Sequence, residues 1–382
     1  MKKKKLVIIS HTQHYKNDEG VVIGWGSTIN EVDFLADYWD EVFHVACLHT
    51  SKAPPSSLPY SKSNVTFVPI PAYGGKKLLD KILIFTKIPK IIHQVIKTVN
   101  GATEVQLRLP TSMGLFLLPL FSFFLSRKFI FWVKYAGNWN ESNPPLSYSI
   151  ERWWLKKNWA NCNVTINGFW DKQPKHCFSF ENPCLTLDAI ESGKIIGAEK
   201  TFESPFVFTF VGRLENAKGV DRIIEALATL PLDKIATVNF IGNGDDFESY
   251  KNKAAFLKDK VHFHGFLGSK EVHAILKQSH FLLLPSTASE GFPKVIAEAA
   301  CYGVIPIVSD VGSIAHYVDN ENGFVWKLNT SEVFSKIVNN AVKKTTLELK
   351  EKSKRVQDLA EEFTFLNYLK KLNAHIFNLN KT

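Results

Sequence analysis

Two cations five residues apart, Arg213 and Lys218, stand in Phe210-Val-Gly-Arg-Leu-Glu-Asn-Ala-Lys-Gly-Val-Asp221, where an apolar run gives way to glycine and then to a helical pattern. Arginine offers a planar fork of donors and lysine a compact charge, a pair that suits a diphosphate. Gly212 permits a tight turn after a strand ending at Val211. A solvated loop of a basic protein would hold similar residues. Position favours the site reading, because ligands of open parallel sheets bind beyond the carboxyl ends of the strands. A second group runs Leu284-Pro-Ser-Thr-Ala-Ser-Glu-Gly-Phe-Pro-Lys-Val-Ile-Ala-Glu-Ala-Ala-Cys-Tyr-Gly303. Pro293 suits the first turn of a helix, and the amides of Lys294 and Val295 at that terminus make an anion site. Glu290 precedes the helix. Glu298 lies inside it among Val295, Ile296, Ala297, Ala299 and Ala300. A carboxylate in such surroundings needs a partner: a ribose diol, a salt bridge, or water at a helix edge.

A third group is Gly20-Val-Val-Ile-Gly-Trp-Gly-Ser-Thr-Ile-Asn-Glu31. Thr28 and Glu31 match the capping box T-x-x-E and are expected to open the first helix. Gly24 and Gly26 would let backbone approach a phosphate, although a dinucleotide fingerprint would need a third glycine; a plain loop and cap is the competing reading. Gly242-Asn-Gly-Asp245 and His264-Gly-Phe266 each follow a strand-like run, and backbone near Gly265 could read a base. His11, Arg108, Lys134 and Asn138 lie near strand ends in the first half. The sequence holds no D-x-D, no H-E-x-x-H and no Cys/His ligand set, so no metal and no resident cofactor are expected. It also lacks the NTPase P-loop and the hydrolase G-x-S-x-G elbow.

These residues need strands to carry them. Apolar, β-branched runs appear at Leu6–Ser10, Val42–Cys47, Val65–Pro69, Glu104–Leu109 and Phe129–Tyr135, with helical spacing at Thr28–Tyr38, Lys76–Val99 and Thr111–Ser126. The second half repeats the alternation: runs at Phe206–Val211, Ala236–Ile241, Val261–Phe263, Phe281–Leu284 and Val304–Val308, with helices between. Such alternation predicts parallel strands with helical crossovers, covered on both faces. The chain is an α/β protein of two doubly wound units, expected to face each other across a cleft. Ser179–Glu203, with Pro183, Gly193 and Gly197, reads as the linker, and Ser331–Asn378 as a helical tail.

The 382 residues suit two domains, and 45% apolar with 22% charged residues excludes a disordered chain or a rod. The run Met113–Leu125 is too short to span a bilayer. Five cysteines without a C-x-x-C pair read as reduced thiols. Leu6–Ser10 is too short for a signal-peptide core, so a cytoplasmic protein is expected. Residues 1–190 hold 22 Lys+Arg against 14 Asp+Glu, whereas residues 191–382 hold 24 against 23. Eight of the nine tryptophans also lie in the first half.

The strings FVGRLENAKGVDRIIEAL, FIGNGD, VHFHGFL, LLLPSTASEGFPKVIAEAACYGVIPIVSDVGSIAHYV and NGFVW resemble the donor-binding half of retaining, nucleotide-sugar-dependent glycosyltransferases of family 4 (glycosyl transferases group 1). The resemblance implies the GT-B fold, two Rossmann-like domains: residues 1–183 on the acceptor side and 184–362 on the donor side. A last helix at about 363–382 would pack back on the first. It implies that Arg213 and Lys218 neutralise the donor diphosphate, and that Glu298 holds the ribose. Glu290 and the amides of Gly291 and Phe292 would contact the transferred sugar. Lys294 and Val295 would hold the distal phosphate, Gly265 and Phe266 would meet the base, and Gly212 and Gly242 would shape the pocket. Gly24 and Gly26 would line the opposite wall. The family's histidine at the end of the fourth strand is here Leu107 or Arg108, so His11, Arg108 and Asn138 are the acceptor-side candidates.

The expected partners are therefore a nucleoside-diphosphate sugar and a glycan or lipid-linked glycan, with no nucleic acid. The expected activity is metal-independent, retaining transfer to a hydroxyl of a bacterial surface polysaccharide or lipopolysaccharide precursor. The basic, Trp-rich half adds contact with an anionic membrane at its inner face. A nucleotide-sugar epimerase of the same architecture and an inactive glycan-binding scaffold are the alternatives.

Overall fold

The computed structural model describes residues 3–74, 84–125, 128–141, 143–288 and 291–377. The chain divides into two compact units. The first runs through Phe180 and takes in the segment from Leu369; the second is Glu181–Tyr368.

In the first unit, β1 (Lys5–Lys16), β2 (Val22–Trp25), β3 (Glu41–Leu48), β4 (Ser57–Pro59), β5 (Val65–Pro71), β6 (Glu104–Leu109), β7 (Ile130–Tyr135), β8 (Asn163–Asn167) and β9 (Cys177–Phe180) share one sheet. The parallel order is β5-β3-β1-β6-β7-β8-β9. Chain order reverses between β1 and β6, which is the switch point of a doubly wound sheet. β1 outruns its expected end at Ser10. It bulges between Ile9 and Gln13, and beyond the bulge it pairs antiparallel with β2, which pairs with β4.

The second unit holds β10 (Phe206–Val211), β11 (Ile235–Ile241), β12 (Val261–Gly265), β13 (Phe281–Leu284), β14 (Ile305–Ser309) and β15 (Phe324–Trp326). Their order, β12-β11-β10-β13-β14-β15, is parallel throughout and switches between β10 and β13. β13 and β14 are buried at every residue, as strands covered on both faces must be. The Val220–Ala228 helix shows how the cover forms: Val220, Ile223, Ile224 and Leu227, on one helical stripe, all reach the core.

Two expectations are corrected. Ser179–Glu203 does hold the boundary between the units, at Phe180/Glu181, but it is not an irregular stretch: it contains the end of β9 and the Leu187–Glu199 helix, capped by Thr186 Oγ1 on the Ala189 amide. Its glycines serve close packing. A Cβ on Gly193 would strike the Cys301 carbonyl, and one on Gly197 the Gln357 side chain. Nor do Thr28 and Glu31 form a capping box. The first helix begins at Gly26 with Trp25 at its cap and no side-chain cap bond, which places Glu31 well inside it. The segment expected at Lys76–Val99 is a helix over Ile84–Val99, its earlier part lying outside the described residues. The tail forms helices at Phe334–Val342, Thr346–Glu361 and Phe365–Leu372. Past Leu369 the chain packs in the first unit, where Phe377 meets Trp39 and Trp132 edge-on.

Candidate functional site

The switch point of the second unit carries two of the segments singled out in that half. Gly212 to Lys218 follow β10, and Pro285 to Ala288 follow β13, its neighbour. The Ala217 carbonyl accepts the Thr287 amide at 2.8 Å and the Ala288 amide at 3.2 Å. The Gly219 φ of +91° and its lack of a side chain let the first loop approach the second, since a Cβ there would strike the Pro285 carbonyl. Gly242, at φ +133°, lies likewise against the Gly212 carbonyl. Its amide donates to Gly265 O at 2.7 Å, and Leu214 N donates to Asn243 O at 3.1 Å. The loops after β10, β11, β12 and β13 are thus one connected backbone surface.

On that surface Arg213 is 70% exposed, with one long contact, 3.5 Å, to Glu215. Lys218 ends a short 3-10 turn five residues on. The Lys294–Cys301 helix begins one residue later than expected, with Pro293 as its N-cap and no side-chain cap on its first turn. Glu298 is half-buried. Burial raises its pKa, and Lys294 one turn earlier opposes the rise. Among the described residues no hydrogen bond reaches its carboxylate, so hydroxyl donors would find it unengaged. The Phe292 side chain stacks on Phe363 in the core, which leaves its backbone for contacts outside. The Gly291 carbonyl is taken by Ser313. Phe266 is exposed beside Gly265. Glu290 lies outside the described residues.

Sequence reasoning passed over Arg222. Its guanidinium donates to Asn216 O at 2.9 Å and Pro285 O at 3.3 Å, and it reaches Thr287 Oγ1 at 3.4 Å. It therefore clasps the two loops that carry the proposed phosphate contacts. Its place one turn after Lys218 is the signal that was there to be read.

The first unit gathers a different set at its own switch point. The Thr12 carbonyl must accept, so His14 donates from Nδ1 at 3.0 Å. Burial lowers the His14 pKa to about 4 and the His44 pKa well below its usual value, so both rings are neutral. His14 Nε2 then accepts from Tyr60 Oη at 2.8 Å, Tyr60 accepts from His44 Nδ1 at 2.6 Å, and His44 Nε2 accepts from Ser10 Oγ at 2.8 Å. One carbonyl thereby orders a chain of protons that begins and ends in the β1 bulge, which presents His11 to solvent. Although part of His11 meets solvent, protein packed around its imidazole disfavours the charged form, and this and then the Arg108 charge lower its pKa.

Arg108 and Lys134 are buried and turned inward. Lys134 Nζ lies 2.7 Å from both Glu31 oxygens, and Arg108 lies 3.0 Å from Glu31 Oε1 and 2.7 Å from Gln106 Oε1. The predicted helix cap is in fact the counter-ion of two buried cations. Asn138 accepts the Asn140 amide in the turn after β7. Gly24 faces His14 across the β1/β2 pair, where a Cβ would meet the imidazole, and Gly26 sits against Ser56 O and Leu58.

Glu151, fully buried, accepts the Thr111 amide just past β6, and burial pushes its pKa up to about 8. The folded protein therefore keeps a proton that the unfolded chain releases at ordinary carboxylate pH. Stability falls as pH rises toward 8 and levels beyond it. Between pH 6.5 and 8, above the range of the lowered histidines, urea midpoints of the wild type should drop while those of Glu151→Gln stay flat. Parallel profiles would show that Glu151 is ionised throughout.

Among the described residues no group of three or more His, Cys, Asp or Glu is placed to hold a metal ion, and no helix is long and apolar enough to cross a membrane. Residues 192–362 match the family described as glycosyl transferases group 1. An uncharacterized glycosyltransferase of Methanocaldococcus jannaschii is 31% identical over 154 residues, 39% of each chain. The matched stretch spans 30–39% of the length of this and two further curated relatives. Among solved structures, the apo lipopolysaccharide outer core galactosyltransferase WaaB superposes with a TM-score of 0.67 at 15% identity, covering 98% of this chain and 99% of its own. Anabaena HepE in complex with UDP and glucose gives 0.64 at 17%, covering 98% and 100%. These likenesses establish the fold, two Rossmann-like α/β units of GT-B type.

Proposed function

From the premise that residues 192–362 form a glycosyl transferases group 1 domain, we propose that this protein moves a sugar from a nucleoside-diphosphate sugar to a hydroxyl acceptor, with retention and without a metal ion. The observation that carries the reading is the second unit's switch point. There Arg213, Lys218 and an uncapped helix terminus share one laced set of loops, and an unengaged Glu298 follows a turn later.

Departure of the nucleoside diphosphate builds charge on the phosphate oxygens. Arg213, Lys218 and the first-turn amides of the Lys294–Cys301 helix meet that charge without reorganising. Glu298 accepts from the ribose hydroxyls, and Phe266 with the Gly265 backbone borders the base. Glu290, Gly291 and Phe292 are assigned to the transferred sugar. Front-face attack and a covalent intermediate are both compatible with this set. His11, Arg108 and Asn138 are assigned to the acceptor side. The acceptor is a bacterial surface polysaccharide or lipopolysaccharide precursor, a choice that the likeness to WaaB supports.

A thermal-shift panel of UDP-, GDP- and ADP-sugars tests the donor assignment, with UDP-sugars first because the HepE structure holds UDP. At about a hundred times Kd, one base should raise Tm by roughly 5–10 °C, and EDTA should leave that shift in place. A flat response to all three bases would remove the donor from the proposal.

A further inference from the structure

We propose that the first unit docks on an anionic lipid bilayer through the surface formed by its Gly114–Leu125 segment and Leu146–Lys156 helix. Both elements pack one side into the core under β6 to β8, through Leu117, Leu118, Phe121 and Leu155. Their other side is strongly apolar yet open. Phe123 is 69% exposed and Phe124 74%; Leu146 and Trp153 are also exposed, as is Trp159 just beyond. The aromatic residues form a continuous row. Phe123 meets Trp154, Trp154 meets Trp159, and Trp159 meets Trp153, at centroid distances of 6.0, 5.1 and 4.4 Å.

Charge decides what covers this row. Lys128, Lys156 and Lys157 stand exposed around it. The two elements carry a single acidic residue, Glu151, and it is fully buried. The Ile84–Val99 helix packs on the same core, contains no acidic residue and exposes Lys90 and Lys97. A protein partner of mixed charge would call for mixed charge here. Indole and phenyl rings beside lysines, with no exposed carboxylate on these helices, match the boundary between headgroups and acyl chains. Each lysine near an anionic surface is worth about fivefold in affinity. The inference is independent of the donor site, which lies in the other unit.

Sedimentation with vesicles at low salt tests it. The full chain should bind phosphatidylglycerol/phosphatidylcholine vesicles and bind pure phosphatidylcholine at least tenfold more weakly. Lys156→Glu with Lys157→Glu should weaken anionic binding about 25-fold or more. Phe124→Ser, at a position too exposed to threaten folding, should weaken binding to both vesicles. Acyl-brominated lipid should quench Trp153 and Trp159 emission, and replacing both with Phe should abolish that quenching. Unchanged thermal shifts with nucleotide sugar in every variant would show the protein intact. Absence of vesicle binding by the wild type, binding indifferent to these variants, or a dimer broken by Phe124→Ser without any lipid binding would each overturn the proposal.

Discussion

Arg213→Ala and Lys218→Ala are each expected to lower turnover about 100-fold while leaving the protein folded. A fixed donor aimed at charge that develops during reaction contributes about 3 kcal/mol to lowering the barrier, and both side chains are assigned to the departing diphosphate. The loss should fall on kcat more than on KM, because the charge they meet is larger in the transition state than in the bound donor. Stability gives a separate reading. Arg213 is largely exposed, and its contact with Glu215 is long. An exposed pair of that kind contributes about 0–1 kcal/mol, so Arg213→Ala should melt with the wild type. Arg213→Lys should recover only part of the rate, since an ammonium cannot present the planar fork. Steady-state kinetics with the donor identified by thermal shift would decide the matter. Wild-type turnover in both alanine variants would move the phosphate contacts elsewhere.

The strand, turn and helix around the loop after β10 were legible because their grammar is local. A strand, a glycine turn, two cations and a helix all fall between Phe206 and Ala228, and the strand order then placed that turn at the switch point. What the sequence concealed depends on contacts between distant segments. Gly193 and Gly197 looked like breakers, yet they are where one helix must approach Cys301 and Gln357, more than a hundred residues away. The chain of protons through Ser10, His44, Tyr60 and His14 joins strands whose neighbours only the sheet order reveals. The continuation of β1 past Ser10 was hidden because a bulge breaks its alternation before the antiparallel pairing begins. Glu31 was misread for the same reason. Its spacing from Thr28 satisfies a local rule, while its partners, Arg108 and Lys134, arrive from β6 and β7.

That misreading carries the largest stability effect expected in the molecule. Glu31→Ala should destabilise the first unit by about 3–5 kcal/mol. The side chains of Glu31, Arg108 and Lys134 are 3%, 9% and 7% exposed, so removing the carboxylate takes from a poorly solvated space the anion that both cations contact. Arg108 keeps its bond to Gln106, which meets one donor and none of the net charge. Eight of the nine tryptophans lie in the first unit, so tryptophan emission in urea reports chiefly on the unit concerned. At a slope of about 2 kcal/mol per molar urea, its midpoint should fall by roughly 2 M. Loss of charge balance can be separated from loss of packing. Glu31→Leu combined with Arg108→Met and Lys134→Met removes all three charges at similar volume, and should sit much closer to the wild type than Glu31→Ala does. If the triple variant were as unstable as the single one, the cluster's contribution would lie in its hydrogen bonds and shape. If Glu31→Ala left the midpoint unmoved, the two cations would have to be reaching solvent, and the switch point of the first unit would be an open charged surface.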